Sequence, residues 1–252
     1  MQVSFHWPSR FPGAHIAKYD IRFLTAVFFI CSSCGFSQNI PVKNDVHVAG
    51  SLRAVMKQND LRSNIYLDTI AIKKHLYGIG PLDSLSGEIT VINGTSYVSE
   101  VDADGSIVIR KTFKIGAPFF VYATMSSGTA LKIPDSVSNI PSLERHLAKV
   151  YGERKEKPFP FTIRCRATVA LIHIVNPGST GGNDGGHEHK KVKFTLENRP
   201  VNIVGFYSEK HKGIFTHHDS NIHLHLITPD KTMMGHVDEI TFVEALITIP
   251  AE

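Results

Sequence analysis

From Gly87 onward, apolar and polar residues alternate in short runs separated by turn-forming residues, the period-two pattern of strands with one buried face. The run Glu88-Ile89-Thr90-Val91-Ile92, the pair Asn93-Gly94 and the run Thr95-Ser96-Tyr97-Val98 predict a β-hairpin with a two-residue turn. Further strands are predicted over 106–113, 119–124, 161–166, 169–175, 192–196, 201–207, 222–227 and 239–249. Two stretches have helical spacing instead. Leu52, Val55 and Met56 follow Ser51, a capping residue, and predict a short amphipathic helix. Leu143, Leu147 and Val150 follow Pro141 and Ser142 and end at Gly152, which predicts a second helix packed on a sheet. The fold class expected is α+β: curved, mainly antiparallel or mixed sheets in two halves, with a few short helices. The charged segment Glu153 to Lys157 reads as a solvated connection near the midpoint, so the halves cover about 38–157 and 158–252.

The amino terminus follows a different pattern. Phe23 to Cys31 is an apolar run of nine behind Arg10, Lys18 and Arg22, followed by small and polar residues through Ser37. Nine residues are too few to span a bilayer, which takes about 20, but they suit a signal peptide. Residues 1–37 are therefore expected to be removed before Gln38 and the protein exported to the periplasm or the outside. A lipid anchor at Cys34 competes with this reading, although Cys31 stands where a lipobox favours an aliphatic residue. The region before the apolar run is long for a signal peptide, which hints at a misassigned start. Cleavage would leave Cys165 as the sole cysteine, which excludes an intramolecular disulfide and a thiolate metal cluster. The chain has 27 Lys and Arg against 23 Asp and Glu, and residues 1–37 hold three basic residues and one acidic, leaving +2 in the remainder. So small a charge gives no support to nucleic-acid binding through a basic surface.

Histidine changes the picture. Of 14 in the chain, His211, His217, His218, His223, His225 and His236 fall in one stretch. In a strand over 222–227, His223 and His225 share one face while Ile222, Leu224 and Leu226 share the other. A turn at Pro229-Asp230 and the small residue Gly235 can bring His236 back to the same face, completing three imidazoles with an open fourth position, the donor set of a catalytic Zn2+ site. The plainer reading is two histidines on a solvated strand and an accidental third. His187-Glu188-His189 lies in a polar, glycine-rich loop suited only to weak metal binding, and His217 and His218 could line the mouth of the same pocket. The glycines of 178–186 lack the Gly-Lys-Ser/Thr of a phosphate loop, and no Gly-x-Ser-x-Gly elbow occurs.

These residues carry a resemblance. Val204-Gly205-Phe206-Tyr207, then His223-Leu224-His225, a polar turn and Gly235-His236-Val237 resemble the carboxy-terminal metal motif of the α-acetolactate decarboxylases. Upstream, Gly78-Ile79-Gly80 leading to Gly87-Glu88-Ile89 is similar to that family's Gly-Ile-Gly and Gly-Glu-Leu stretches. Ala117-Pro118-Phe119-Phe120 and Phe159 to Arg164 fall in family order, and the likeness spans most of 46–245. It implies a zinc lyase converting 2-hydroxy-2-methyl-3-oxobutanoate to acetoin and carbon dioxide, the metal acting as a Lewis acid toward an enediolate. By the same likeness His223, His225 and His236 are the metal ligands, and Glu88 orients the substrate hydroxyl or exchanges a proton with it. Two departures stand out. The family's substrate-binding arginine aligns with His173, which becomes the candidate proton donor, and the family's tail glutamate has no counterpart in the sixteen residues after His236. The expected partner is a small 2-hydroxy-3-oxo acid, with a homodimer allowed for. A metal-binding protein without catalysis and a zinc hydrolase are the competing classes.

Overall fold

A computed structural model describes residues 45–125, 128–152, 157–177 and 191–250. The expected signal peptide and the loop carrying His187 and His189 lie outside these residues. The described chain forms thirteen strands and two α-helices. In order these are β1 (His47–Ala49), α1 (Leu52–Gln58), β2 (Ile65–Tyr66), β3 (Leu76–Pro81), β4 (Glu88–Ile92), β5 (Thr95–Val101) and β6 (Ile107–Lys111). They continue with β7 (Gly116–Ala117), β8 (Phe120–Thr124), β9 (Ala130–Lys132), α2 (Ile140–Val150), β10 (Phe159–Val175), β11 (Lys191–Tyr207), β12 (Ile222–Ile227) and β13 (Met234–Thr248).

The strands make two main antiparallel sheets. The first has the order β1-β8-β3-β4-β5-β6. The second has the order β10-β11-β12-β13-β9, and an additional pairing of β10 with β13 closes its four long and central strands into a ring. The α+β class with curved antiparallel sheets is thus the observed one. Residues 130–150, which the charged segment groups with the first half of the sequence, belong spatially with the second sheet. There β9 pairs with β13, and Leu143 and Leu147 of α2 enter the core of the ring with Phe161, Ile163 and Phe242.

Local chemistry explains most elements. Asn93 and Gly94 both have positive φ, 45° and 79°, the turn whose twist suits a tight hairpin, so β4 and β5 occupy the expected positions. Ser51 Oγ accepts the Ala54 N–H at 3.2 Å and caps α1, while Asn59 ends it in the left-handed region. Met56 departs from the buried face expected for it: it is 44% exposed and lines a cavity instead. The cap of α2 is Asn139; Ser142 answers it from three residues on, closing a reciprocal pair of bonds at 2.9 and 3.0 Å.

Where the strands differ from expectation, the cause is a bulge, a glycine or, in β11, a left-handed residue followed by proline. The runs 161–166 and 169–175 are one strand, β10, whose pairing with β13 slips between Arg164 and Arg166 and between Ala167 and Val169. The second slip, which leaves an extra residue on β10, reverses its inside–outside phase: Phe161, Ile163, Cys165 and Ala167 are buried before it and Ala170, Ile172 and Ile174 after it, so in sequence the strand looks broken. Likewise 192–196 and 201–207 are both parts of β11, which passes through exposed Asn198 at φ 47° and Pro200. Strand β3 was not apparent from alternation because two of its six residues are glycine. A Cβ placed on Gly78 would lie 2.5 Å from the Phe120 ring, so the missing side chain is what lets the ring pack flat on the strand.

The sheets meet through Ile79, Val121 and Ala123 of the first and Val204 and Phe206 of the second, with Phe215 beside them. This contact sets the distance between β4 and β12, and the candidate site lies there. Among the described residues no helix is long and apolar enough to cross a membrane.

Candidate active site

Strand β12 is buried on both faces. Ile222, Leu224 and Leu226 enter the core of the ring, while His223 and His225 face the first sheet, 4% and 0% exposed. The turn after β12 is closed by Thr228, whose N–H donates to the Met233 carbonyl at 3.0 Å and whose hydroxyl accepts from the Thr232 and Met233 N–H groups. Its length places His236 opposite His225, and the ladder between β10 and β13 places His173 opposite His236. A row of imidazoles therefore crosses three neighbouring strands. Gly235 is needed for it: a Cβ there would lie 2.7 Å from the His173 carbonyl oxygen.

His223 Nε2 lies 3.1 Å from His236 Nδ1, and one nitrogen from each of His223, His225 and His236 falls within 4.8 Å of the others. Nitrogens bound at about 2.0 to 2.1 Å to one tetrahedral ion stand roughly 3.4 Å apart, so the three need only small movements to share an ion. His225 Nδ1 is hydrogen-bonded to Thr90 Oγ1 at 3.1 Å, while His225 Nε2 is buried without a hydrogen bond, an orphan nitrogen of the kind a ligand satisfies. A metal ion fits this set of donors. His173, His236 and Asp238 form a second close group, but it shares His236, and His173 Nδ1 is already bonded to Asp238 Oδ1 at 2.7 Å.

The first sheet supplies the opposing wall. Glu88 and Thr90 lie two apart on β4 and face the histidines, while Ile89 and Val91 face the core behind. Glu88 is 3% exposed; its Oε1 accepts the Val175 N–H at 3.4 Å and its Oε2 lies 3.6 Å from His225 Nε2. Burial holds its carboxyl well above the ordinary range, the Val175 bond and the charge of Lys191 opposing and Asp238 reinforcing. Burial pushes His225 down to about 3. Burial, then the neighbouring imidazoles, hold His223 and His236 well below the usual range as well. All three rings are thus neutral, the form that ligates metal. With His225 neutral its approach to Glu88 is not an ion pair, and a bound cation would favour the Glu88 carboxylate.

A cavity of about 600 Å³ opens on this floor. Glu88, His173, His223 and His236 line its depth, with Phe119 and Phe215 as apolar walls. His217 and His218 line it too, and the His217 ring lies 5.2 Å from that of His236, centroid to centroid. Arg53 and Lys57 of α1, Lys191 at the start of β11 and Lys212 are its cations. Glu88 is therefore not an exposed strand residue, and both it and His173 line the cavity with His223 and His236, while His225 lies behind them. Sequence reasoning missed Thr90, Asp238, Phe119 and Arg53. Thr90 could have been found as the residue two beyond Glu88 on the same face; the others depend on contacts between distant elements.

The family model described as alpha-acetolactate decarboxylase matches residues 56–251. The alpha-acetolactate decarboxylase of Lactococcus lactis subsp. cremoris (strain MG1363) is 24% identical over 198 residues, 76% of this chain and 80% of that protein. The alpha-acetolactate decarboxylase of Bacillus subtilis strain 168 superposes with a TM-score of 0.63 at 19% identity, over 82% of this chain and 86% of that one. A Staphylococcus aureus protein of unknown function similar to alpha-acetolactate decarboxylase gives a TM-score of 0.60 at 13% identity, over 82% and 84%. At such identities the structures speak for the fold alone.

Proposed function

This chain belongs to the alpha-acetolactate decarboxylase family, a family of carboxy-lyases, and from that premise we propose that it decarboxylates 2-acetolactate, or a similar small 2-hydroxy-3-oxo acid, at a zinc ion held by His223, His225 and His236. The observation that carries the reading is the convergence of three buried imidazoles with nitrogens within 4.8 Å of one another, two of which, His223 and His236, line one cavity with Glu88 and His173. Three imidazoles with no thiolate among them suit Zn2+. Bound there, the ion would supply Lewis-acid stabilisation of the negative charge that builds as carbon dioxide leaves.

The rest falls to the protein's own side chains. In the reaction the bond between the hydroxyl-bearing carbon and the carboxylate breaks, its electron pair stays on that carbon beside the ketone, and a proton must be delivered there to give acetoin. Glu88, on the wall facing the histidines, orients the substrate hydroxyl and exchanges a proton with it. His173 is the proton donor. It cannot grip a carboxylate in two places as a guanidinium does, so attraction of the substrate anion falls to Arg53 and Lys191 at the cavity. Phe119 and Phe215 shield the floor from water.

The test is to load the purified protein with zinc, add 2-acetolactate and measure acetoin by chromatography, with metal content determined on the same sample. Acetoin formation that disappears in Glu88→Gln and His173→Ala while zinc is retained supports the lyase. Wild type that holds zinc and forms no acetoin would move the reading to a binding protein that has kept the family's metal site, a direction in which the missing arginine already leans. Export is part of the same proposal: the apolar run of 23–31 supports a mature chain beginning near Gln38 outside the cytoplasm, and amino-terminal sequencing of the native protein that found Phe5-His6-Trp7 intact would refute it.

A further inference from the structure

The ladder between β10 and β13 runs His173 opposite His236, Ile172 opposite Val237 and then Leu171 opposite Glu239. One residue of β13, Asp238, is left without a partner across the strands. The pairing thus contains a β-bulge two residues beyond a candidate metal ligand, and bulges beside active sites re-aim side chains. Val237 and Ile240 both reach the core of the ring, so three positions on β13 span what Ile172 and Ala170 span in two on β10. The extra residue is turned along the sheet to His173, and its Oδ1 meets His173 Nδ1 at 2.7 Å. His173 lines the cavity, whereas Asp238 does not; it borders a shallow cleft with Leu171 and Glu239 on the other side.

From this geometry we infer that Asp238 is a positioning residue for His173: its carboxylate accepts the Nδ1–H, fixes the resting ring's tautomer and rotation, and leaves Nε2 addressed to the substrate as the nitrogen that takes up a proton from solvent and delivers it to the carbon that has lost carbon dioxide. Several observations converge on it. A neutral imidazole beside a carboxylate places its hydrogen on the nitrogen that faces the carboxylate, since only that nitrogen has an acceptor to donate to. The His173 side chain is 5% exposed, against 22% for Asp238, so the bond is shielded on the histidine's side. The His173 ring also packs against that of His236, centroids 4.6 Å apart, which confines it from the other face. An imidazole has no fork with which to define its own orientation on a substrate, so a fixed partner behind it supplies what a guanidinium's planar donors would carry themselves. The inference rests on the proposed role of His173, and it adds a residue that no motif in the sequence pointed to.

The experiment compares zinc-loaded wild type, Asp238→Asn, Asp238→Ala, His173→Ala and the double variant Asp238→Ala/His173→Ala, for acetoin formation and for the state of the His173 ring. Expected is a fall in kcat of roughly tenfold to a hundredfold in Asp238→Ala, as for outer-shell partners of functional histidines, with KM changed less than about threefold and zinc retained. Asp238→Asn should lie between it and wild type. The double variant should be no slower than His173→Ala, because Asp238 acts only through that ring. Losses that multiply in the double variant, or an unchanged kcat in Asp238→Ala, overturn the inference. Ring-nitrogen NMR, with the His173 signals identified by their loss in His173→Ala, reads the same claim without turnover. Hydrogen on Nδ1 in wild type, and a mixture of tautomers in Asp238→Ala, is the expected result; hydrogen on Nε2 in wild type overturns it. An inactive wild type with the Nδ1–H tautomer would count against the lyase and not against the positioning role.

Discussion

The floor and the mouth of the cavity are built in opposite ways. The floor comes from β4, β10, β12 and β13: His223, His225, His236, His173 and Glu88 are each less than 10% exposed, and each is placed by a strand register with neighbours on both sides. The mouth comes from α1, the segment around Lys212 and the first residue of β11, and its cations Arg53, Lys57 and Lys191 are exposed. A group on the floor loses its freedom when the sheets form, so its geometry is ready before any ligand arrives. A cation at the mouth keeps its rotamers and its hydration, and acts through a field that salt screens within about 8 to 10 Å. Groups that bind a metal or move a proton therefore belong to the floor, and groups that only attract an anion can stay at the mouth.

The largest effect separating the two should come from the ligands. His223→Ala or His236→Ala should abolish zinc binding and acetoin formation together, while Lys212→Ala leaves about one zinc per chain by metal analysis. Zinc retained in His236→Ala would show that the floor is not the metal site. Next, Glu88→Gln should slow turnover roughly a hundredfold to ten-thousandfold with zinc content unchanged. If the zinc is lost instead, Glu88 is holding the metal site together.

Gly235→Ala tests the register itself. The added methyl meets the His173 carbonyl, a backbone atom that cannot step aside, so β13 must shift against β10. Overpacking of this kind costs about 1 to 3 kcal/mol, readable as a lower Tm, and turnover should fall with it; a Tm and rate equal to wild type would show that the floor tolerates sliding. The smallest effect belongs to the mouth. Arg53→Ala should raise KM several-fold at low salt, as exposed charges contribute about 1 kcal/mol or less, with little change in kcat, and the difference should vanish at high salt. A kcat effect of the size seen for Glu88→Gln would move Arg53 from the mouth to the floor.

The same division decides how much could be read without the fold. That His223 and His225 share a face needs only the period of a strand, and Ile222, Leu224 and Leu226 show which face is buried. The return of His236 needs the turn length between Thr228 and Met233, which local residues carry. Both are properties of a few consecutive residues. The hairpin at Asn93-Gly94 and the cap at Ser51 are legible for the same reason, whereas β10 and β11 read as broken strands because a bulge in the first and the Asn198 to Pro200 segment in the second interrupt the alternation.

Beyond that local range the sequence alone is silent. Nothing within reach of His173 along the chain says that it faces His236, because that depends on where three register slips lie in a ladder joining residues more than sixty positions apart. Asp238 could not be singled out for the same reason: its neighbour is set by a register slip, and an acidic residue on an outer strand face is ordinary in sequence. Glu88 and Thr90 come from the other sheet, and their approach to His225 is governed by how Val204 and Phe206 pack on Ile79 and Val121. The identity of the candidate donors was thus determined by the sequence, through side-chain chemistry and strand period. Their meeting on one floor, with Glu88 held toward its neutral form and the imidazoles uncharged, was decided only in the tertiary structure, since burial and cross-sheet distance exist only once the sheets have closed on each other.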